Sequence, residues 1–195
     1  MSNVKNEVVY ARHSGVSRGD RLSIPLIKRC IRAAARCEGV DVPFEVSVLV
    51  TNDEGIRALN SEFRNTDSPT DVLSFPMHDI VPAEVQEPAG VTRSKRESGN
   101  AGLPGKGGEA GSFSALADPN TGVLQLGDIV MSAERVIEQA GRFGHSTQYE
   151  TAYLTVHSVL HLLGYDHIDE AEQKKRMRTR EKEIMSRIEE QESEW

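Results

Sequence analysis

The chain has 195 residues, with 23 basic and 30 acidic side chains and a formal charge of −7. That length suits one domain with its own hydrophobic core, which aliphatic residues must carry because aromatics make up only 5%. The acidic balance argues against indiscriminate nucleic-acid binding, which relies on a broad basic surface, but leaves room for a local basic groove or a bound cation.

The first twenty residues are polar and charged, without the apolar region of a signal peptide, and no apolar run approaches the roughly 20 residues needed to cross a bilayer. A soluble, cytoplasmic protein with no membrane partner is expected. Glu7 to Ala11 reads as a short first strand. Ser23 then caps a helix that tolerates Pro25 in its first turn, buries Leu26, Ile27, Cys30, Ile31 and Ala34, and ends at Gly39. Cys30 and Cys37 lie seven residues apart, roughly 10 Å along that helix, too far to form a disulfide. Two free thiols suit a reducing compartment.

Phe44, Val46, Val48 and Val50 alternate as in a half-buried strand. Asn52 or Asp53 caps the following helix, whose expected buried positions are Ile56, Leu59 and Phe63. Arg64 ends it, and a turn-rich segment to Asp71 leads into a strand over Val72 to Phe75. Asp71 is expected to hold this turn by accepting backbone N–H bonds. Residues 78–122 are rich in Gly, Ala, Pro, Ser and Glu without periodicity and read as a disordered insert. Gly105-Lys106-Gly107 is no phosphate loop, because position 100 is Asn and no Ser or Thr follows the lysine.

Val123 to Met131 restores a strand. Ser132 caps a helix with Val136, Ile137 and Ala140 inward. Thr147 and Glu150 read as a capping box for the next helix, which carries apolar residues around much of its circumference. Asp169 is expected to cap a final helix to about residue 190, with Met177, Ile184 and Ile188 as its apolar stripe. Its basic run, Lys174 to Lys182, could face RNA, but such runs are more commonly solvated faces laced with i,i+4 pairs. The expected fold is α+β, with a mixed sheet of about four strands and about five helices. Residues 1–195 then form a single domain.

The chemistry concentrates in His157-Ser-Val-Leu-His161-Leu-Leu-Gly164-Tyr-Asp-His167. Histidines four apart share a helix face about 6 Å apart along the axis. Gly164 can adopt the left-handed turn that ends such a helix, so the chain can fold back and bring His167 to the other two. A lone histidine on an apolar helix is ordinarily a core residue; three within eleven residues point to a metal. No good fourth ligand is evident. His145 lies roughly 18 Å from His157 if the intervening segment is helical, His78 opens the insert, and the cysteines belong to another helix. Three imidazoles with an open position suit catalytic zinc, one ion per chain. Asp166 could orient an imidazole or accept a proton, and the sequence does not choose between these roles.

The histidine pattern closely resembles that of the YbeY family of bacterial endoribonucleases and rRNA maturation factors. Pro69-Thr-Asp-Val-Leu-Ser-Phe-Pro76 and Leu126-Gly-Asp-Ile129 resemble its other signatures. The resemblance covers most of residues 42–185, apart from the insert, where family members have a shorter connection. It implies a zinc-dependent, single-strand-specific endoribonuclease acting in small-subunit (16S) rRNA 3′-end maturation and ribosome quality control. Arg64 would be its cleft arginine, and rRNA and the small ribosomal subunit its partners, rather than DNA. The spacing also matches metzincin proteases, but Ser158 stands where their general-base glutamate follows the first histidine. A metzincin-like peptidase and a non-catalytic assembly factor with a structural metal remain the alternatives.

Overall fold

The structure is a computed structural model that describes residues 7–82, 113–165 and 171–192. Its four strands, β1 (Val8–His13), β2 (Phe44–Thr51), β3 (Val72–Pro76) and β4 (Leu124–Ser132), form one sheet in the order β1-β2-β4-β3. β1 and β2 pair in parallel, as do β2 and β4, while β3 runs antiparallel to β4 at the edge. Five helices pack around it: α1 (Ile24–Cys37), α2 (Asp53–Arg64), α3 (Ala133–Phe143), α4 (Thr147–Leu162) and α5 (Ala171–Glu192). This is the α+β architecture with a mixed sheet that the sequence pattern predicts.

The two faces of the sheet differ in what covers them. On one, Val46, Val48 and Val50 join Leu26, Ile27 and Ile31 of α1 and the inner residues of α4 and α5 in the main core. On the other, α2 covers a smaller cluster of Ile56, Leu73 and Val130, with Leu59 and Phe75 half-buried at its margin. In β4, Leu124 and Leu126 face the main core, and so do Ile129 and Met131. The change of parity comes from a bulge, because Glu45 pairs with Gln125 while Val46 pairs with Gly127. Gly127 takes φ 138° there, and a Cβ would sit 2.1 Å from the Phe75 carbonyl oxygen, so only glycine fits.

The caps follow local chemistry. Ser23, Asn52 and Ser132 each accept an N–H from the first turn of their helix. Cys30 and Cys37 both lie on α1 and are not joined in a disulfide. Three expectations need correction. Phe63 is 56% exposed, because α2 meets a narrow core and turns Asn60 inward instead, where its amide donates to the Ser68 carbonyl. Ile137 also lies at the surface, leaving Val136 and Ala140 as the buried face of α3. The cap of α4 is Ser146, whose hydroxyl accepts from Tyr149 N–H, and Glu150 is buried beside His145 rather than reaching back to the cap.

The segment expected to be disordered, residues 78–122, is in part built into the fold. Residues 83–112 lie outside the described residues, but both flanks are built into the fold. Ile80 is buried in the main core, and Phe113, Leu116 and Ala117 pack against it from a short 3₁₀ turn. Asp118 closes the following turn by accepting from Asn120 and Thr121. On α5, Met177, Ile184 and Ile188 are buried as expected. Its basic run is partly spent on acids: Arg176 reaches Glu172, and Arg180 grips Glu38. The expected Asp169 cap lies outside the described residues. Among the described residues no helix is long and apolar enough to cross a membrane.

Candidate active site

α4 is apolar almost all round, which is why it runs through the middle of the molecule against α1, α3, α5, β3 and β4. Val156, Val159, Leu160 and Leu162 are fully buried. His157 and His161 interrupt this surface on one face, as their i,i+4 spacing requires. Their rings stand nearly perpendicular, with Nε2 atoms 3.2 Å apart. Two nitrogens on a tetrahedral zinc with Zn–N bonds of about 2.0–2.1 Å are separated by about 3.3 Å, so this pair fits two ligand positions of one ion.

The orientation of His157 comes from α5. Glu181 is 5% exposed, its Oε1 lies 2.7 Å from His157 Nδ1, and its Oε2 accepts from the Tyr153 hydroxyl at 3.1 Å. Burial first, and the Glu181 carboxylate second, push the Tyr153 hydroxyl up to about 12, so it remains a donor at neutral pH. A carboxylate can only accept, so His157 carries its proton on Nδ1 and turns the Nε2 lone pair toward His161. This is the carboxylate–histidine arrangement that usually stands behind a metal ligand. Sequence reasoning missed Glu181, which lies 24 residues beyond His157 in a helix dense with glutamates.

The cleft beside the imidazoles, a cavity of about 590 Å³, runs between β3, the segment 78–81 and the end of α4. Arg64 lines its far wall. Its guanidinium donates to the Ser74 carbonyl at 3.2 Å and sits 5.9 Å from the Phe75 ring centroid, which aims an otherwise exposed side chain. Gly164 allows the close approach that shapes the floor. It takes φ 86°, and a Cβ would lie 1.7 Å from the Ile80 carbonyl oxygen. Asp71 holds the turn before β3, accepting from Val72 N–H at 2.8 Å and from Gln139 at 2.9 Å.

The structure thus brings His157, His161 and Arg64 to one cleft. Asp166 and His167 lie outside the described residues, and among the described residues no third side chain joins the two imidazoles in a group that could hold a metal ion. His145 lines a neighbouring cavity together with His157, but its Nε2 faces Glu150 Oε2 at 3.3 Å. Ser158 points away from the cleft, fully buried, its hydroxyl donating to the Leu154 carbonyl at 2.8 Å.

A mixed sheet, a buried helix presenting paired imidazole nitrogens, and an arginine across the cleft define an α+β protein with a candidate hydrolytic centre. The profile of the family described as Endoribonuclease YbeY matches residues 19–189. Over 159 residues the chain is 42% identical to the Endoribonuclease YbeY of Clostridium botulinum strain Loch Maree, covering 82% of this chain and 84% of that protein. It is 39% identical over 163 residues to that of Lachnoclostridium phytofermentans, covering 84% and 86%. A solution structure of a Thermotoga maritima protein is similar at 24% identity with a TM-score of 0.49, covering 91% of this chain and 87% of that one. The chain belongs to the endoribonuclease YbeY family.

Proposed function

We propose that the chain is a zinc-dependent, single-strand-specific endoribonuclease acting in the cytoplasm on small-subunit (16S) rRNA, in 3′-end maturation and ribosome quality control. Family membership supports the reaction class. The rRNA substrate and the small ribosomal subunit as partner rest on the sequence resemblance. The observation that carries the chemistry is the converging Nε2 pair of His157 and His161, braced by Glu181 and faced by Arg64.

His157, His161 and His167 would hold the zinc. The ion would supply the charge that activates water near neutral pH and stabilises negative charge developing on phosphoryl oxygens. Glu181 fixes the tautomer and angle of His157. Arg64 binds a phosphate through its guanidinium fork, staying charged at any working pH. Asp166, next to His167 in sequence, is the candidate for proton transfer or for a further orienting bond. The buried Ser158 argues against the peptidase reading, since a peptidase of this spacing needs a base at that position facing the cleft.

The test is cleavage of a 16S rRNA precursor and of an unstructured peptide by the same pure protein, before and after chelation, beside His161→Ala. RNA cleavage that needs both the metal and His161 is expected. RNA cleavage that survives both losses would refute the centre, and peptide cleavage alone would favour the peptidase.

A further inference from the structure

Next to the imidazole cleft lies a second cavity, of about 380 Å³, that shares His157 and Asp71 with it. The proposed function assigns it nothing. Its wall carries Tyr149, Tyr153 and His157, the first three of a file of rings on one face of α4 that recurs every fourth residue and ends at His161 outside the cavity. His157 packs edge-on against His161 and nearly parallel to Tyr153, with centroids 4.6 and 6.2 Å apart. At the other end Tyr149 meets His145 at 4.8 Å, and His145 stacks on Phe143 at 5.9 Å. Between these two groups the file is broken. Among the described residues no ring contact joins Tyr149 to Tyr153, and both line the cavity.

Phe143 is 59% exposed and Tyr149 39%. Single exposed aromatics need no explanation, but here they border a cavity beside the candidate centre. Polar groups are present at the same wall: His145 Nδ1 is buried without a hydrogen-bond partner, and Gln139 is held in place by its bond to Asp71. We propose that this cavity receives one unpaired nucleobase of the RNA, stacked in the interval between Tyr149 and Tyr153, flanking the phosphate that Arg64 binds in the neighbouring imidazole cleft. This rests on the reading of the chain as a nuclease acting on single-stranded RNA.

The charge of the protein favours this route. With a net charge of −7, broad phosphate neutralisation is not available to it. Stacking on tyrosine depends little on charge and accepts any base, and only an unpaired base can leave its helix to reach such a pocket. The subsite would therefore contribute affinity and select single strands together.

Rapid-mixing fluorescence titrations with single-stranded oligoribonucleotides carrying 2-aminopurine at successive positions test this on the full chain. One position should be quenched by the wild type and not by Tyr149→Ala, with Tyr149→Phe retaining most of the effect. Tyr149→Ala should weaken binding roughly 10-fold, within the range for losing one stacked base. An abasic site at the quenched position should weaken wild-type binding equally, and combining it with Tyr149→Ala should add nothing. Cleavage without position-specific quenching, or quenching unchanged in Tyr149→Ala, would overturn the subsite alone. Position-specific quenching without any cleavage would leave the subsite standing and sink the nuclease reading instead.

Discussion

Glu181→Gln is the sharpest probe of how the site is built, because it keeps the shape of a buried side chain and removes its charge. In the wild type both carboxylate oxygens accept, one from His157 at 2.7 Å and one from Tyr153 at 3.1 Å. A glutamine offers one accepting oxygen and turns an N–H₂ toward the other donor, so one charge-assisted bond is lost and a buried donor is orphaned. Bonds to charged groups contribute about 1.5–3 kcal/mol each, which is roughly a 10–100-fold effect at about 1.4 kcal/mol per decade. The same range is typical for losing a partner behind a metal-bound histidine. Zinc affinity, measured by competition with a chromophoric chelator, should therefore fall about 10–100-fold. Tyr153→Phe leaves the His157 bond intact and should move zinc affinity by much less. If Glu181→Gln melts lower but binds zinc as tightly as the wild type, Glu181 holds the fold and does not orient a ligand.

His157→Ala, His161→Ala and His167→Ala should each strongly lower zinc per chain by elemental analysis; full zinc in all three would remove the proposed centre. Arg64→Ala should cut RNA cleavage by roughly 10²–10³-fold, the scale for one preorganised electrostatic donor, with Arg64→Lys recovering part of it and zinc content and melting temperature near wild type. Unchanged cleavage would return Arg64 to the surface. Replacing residues 83–112 by a short Gly/Ser link should alter unfolding free energy little, because loop-closure entropy varies slowly with length. Extending the deletion over Ile80, Phe113 and Leu116 should cost several kcal/mol in denaturant titrations, since it strips apolar groups from the main core.

Much of this was legible because the signals are local. Alternation marks β2, the Ser23, Asn52 and Ser132 caps each bond within three residues, and the i,i+4 histidines share a face by helix geometry alone. What escaped depends on tertiary partners. Phe63 has the right period but no core to enter, since α2 packs on the thinner side of the sheet. Glu150 matches a capping box, yet Ser146 caps one residue earlier and frees Glu150 to turn inward. Burial pushes the Glu150 carboxyl above its ordinary range, an environment no sequence window reveals. Glu181 could have been suspected only by asking which acid falls on the Met177–Ile184–Ile188 stripe itself, since it lies four residues after Met177 and three before Ile184 and so shares their buried face.

The two halves of the cleft are held very differently, and the difference has a functional sense. The imidazole half sits on α4, enclosed by α1, α3 and α5 and fastened by Glu181, so its nitrogens have little room to move. The opposite half consists of the edge strand β3, the segment 78–81 and an exposed Arg64 tied by one backbone contact at 3.2 Å. A centre that must hold an ion needs ligands fixed within fractions of an ångström, whereas a surface that grips a flexible strand gains from adjustable contacts. Gly164 is where the two halves touch, at the Ile80 carbonyl. Any side chain there would push the segment 78–81 away from the imidazoles and, in the proposed function, separate phosphate binding from the centre meant to act on it.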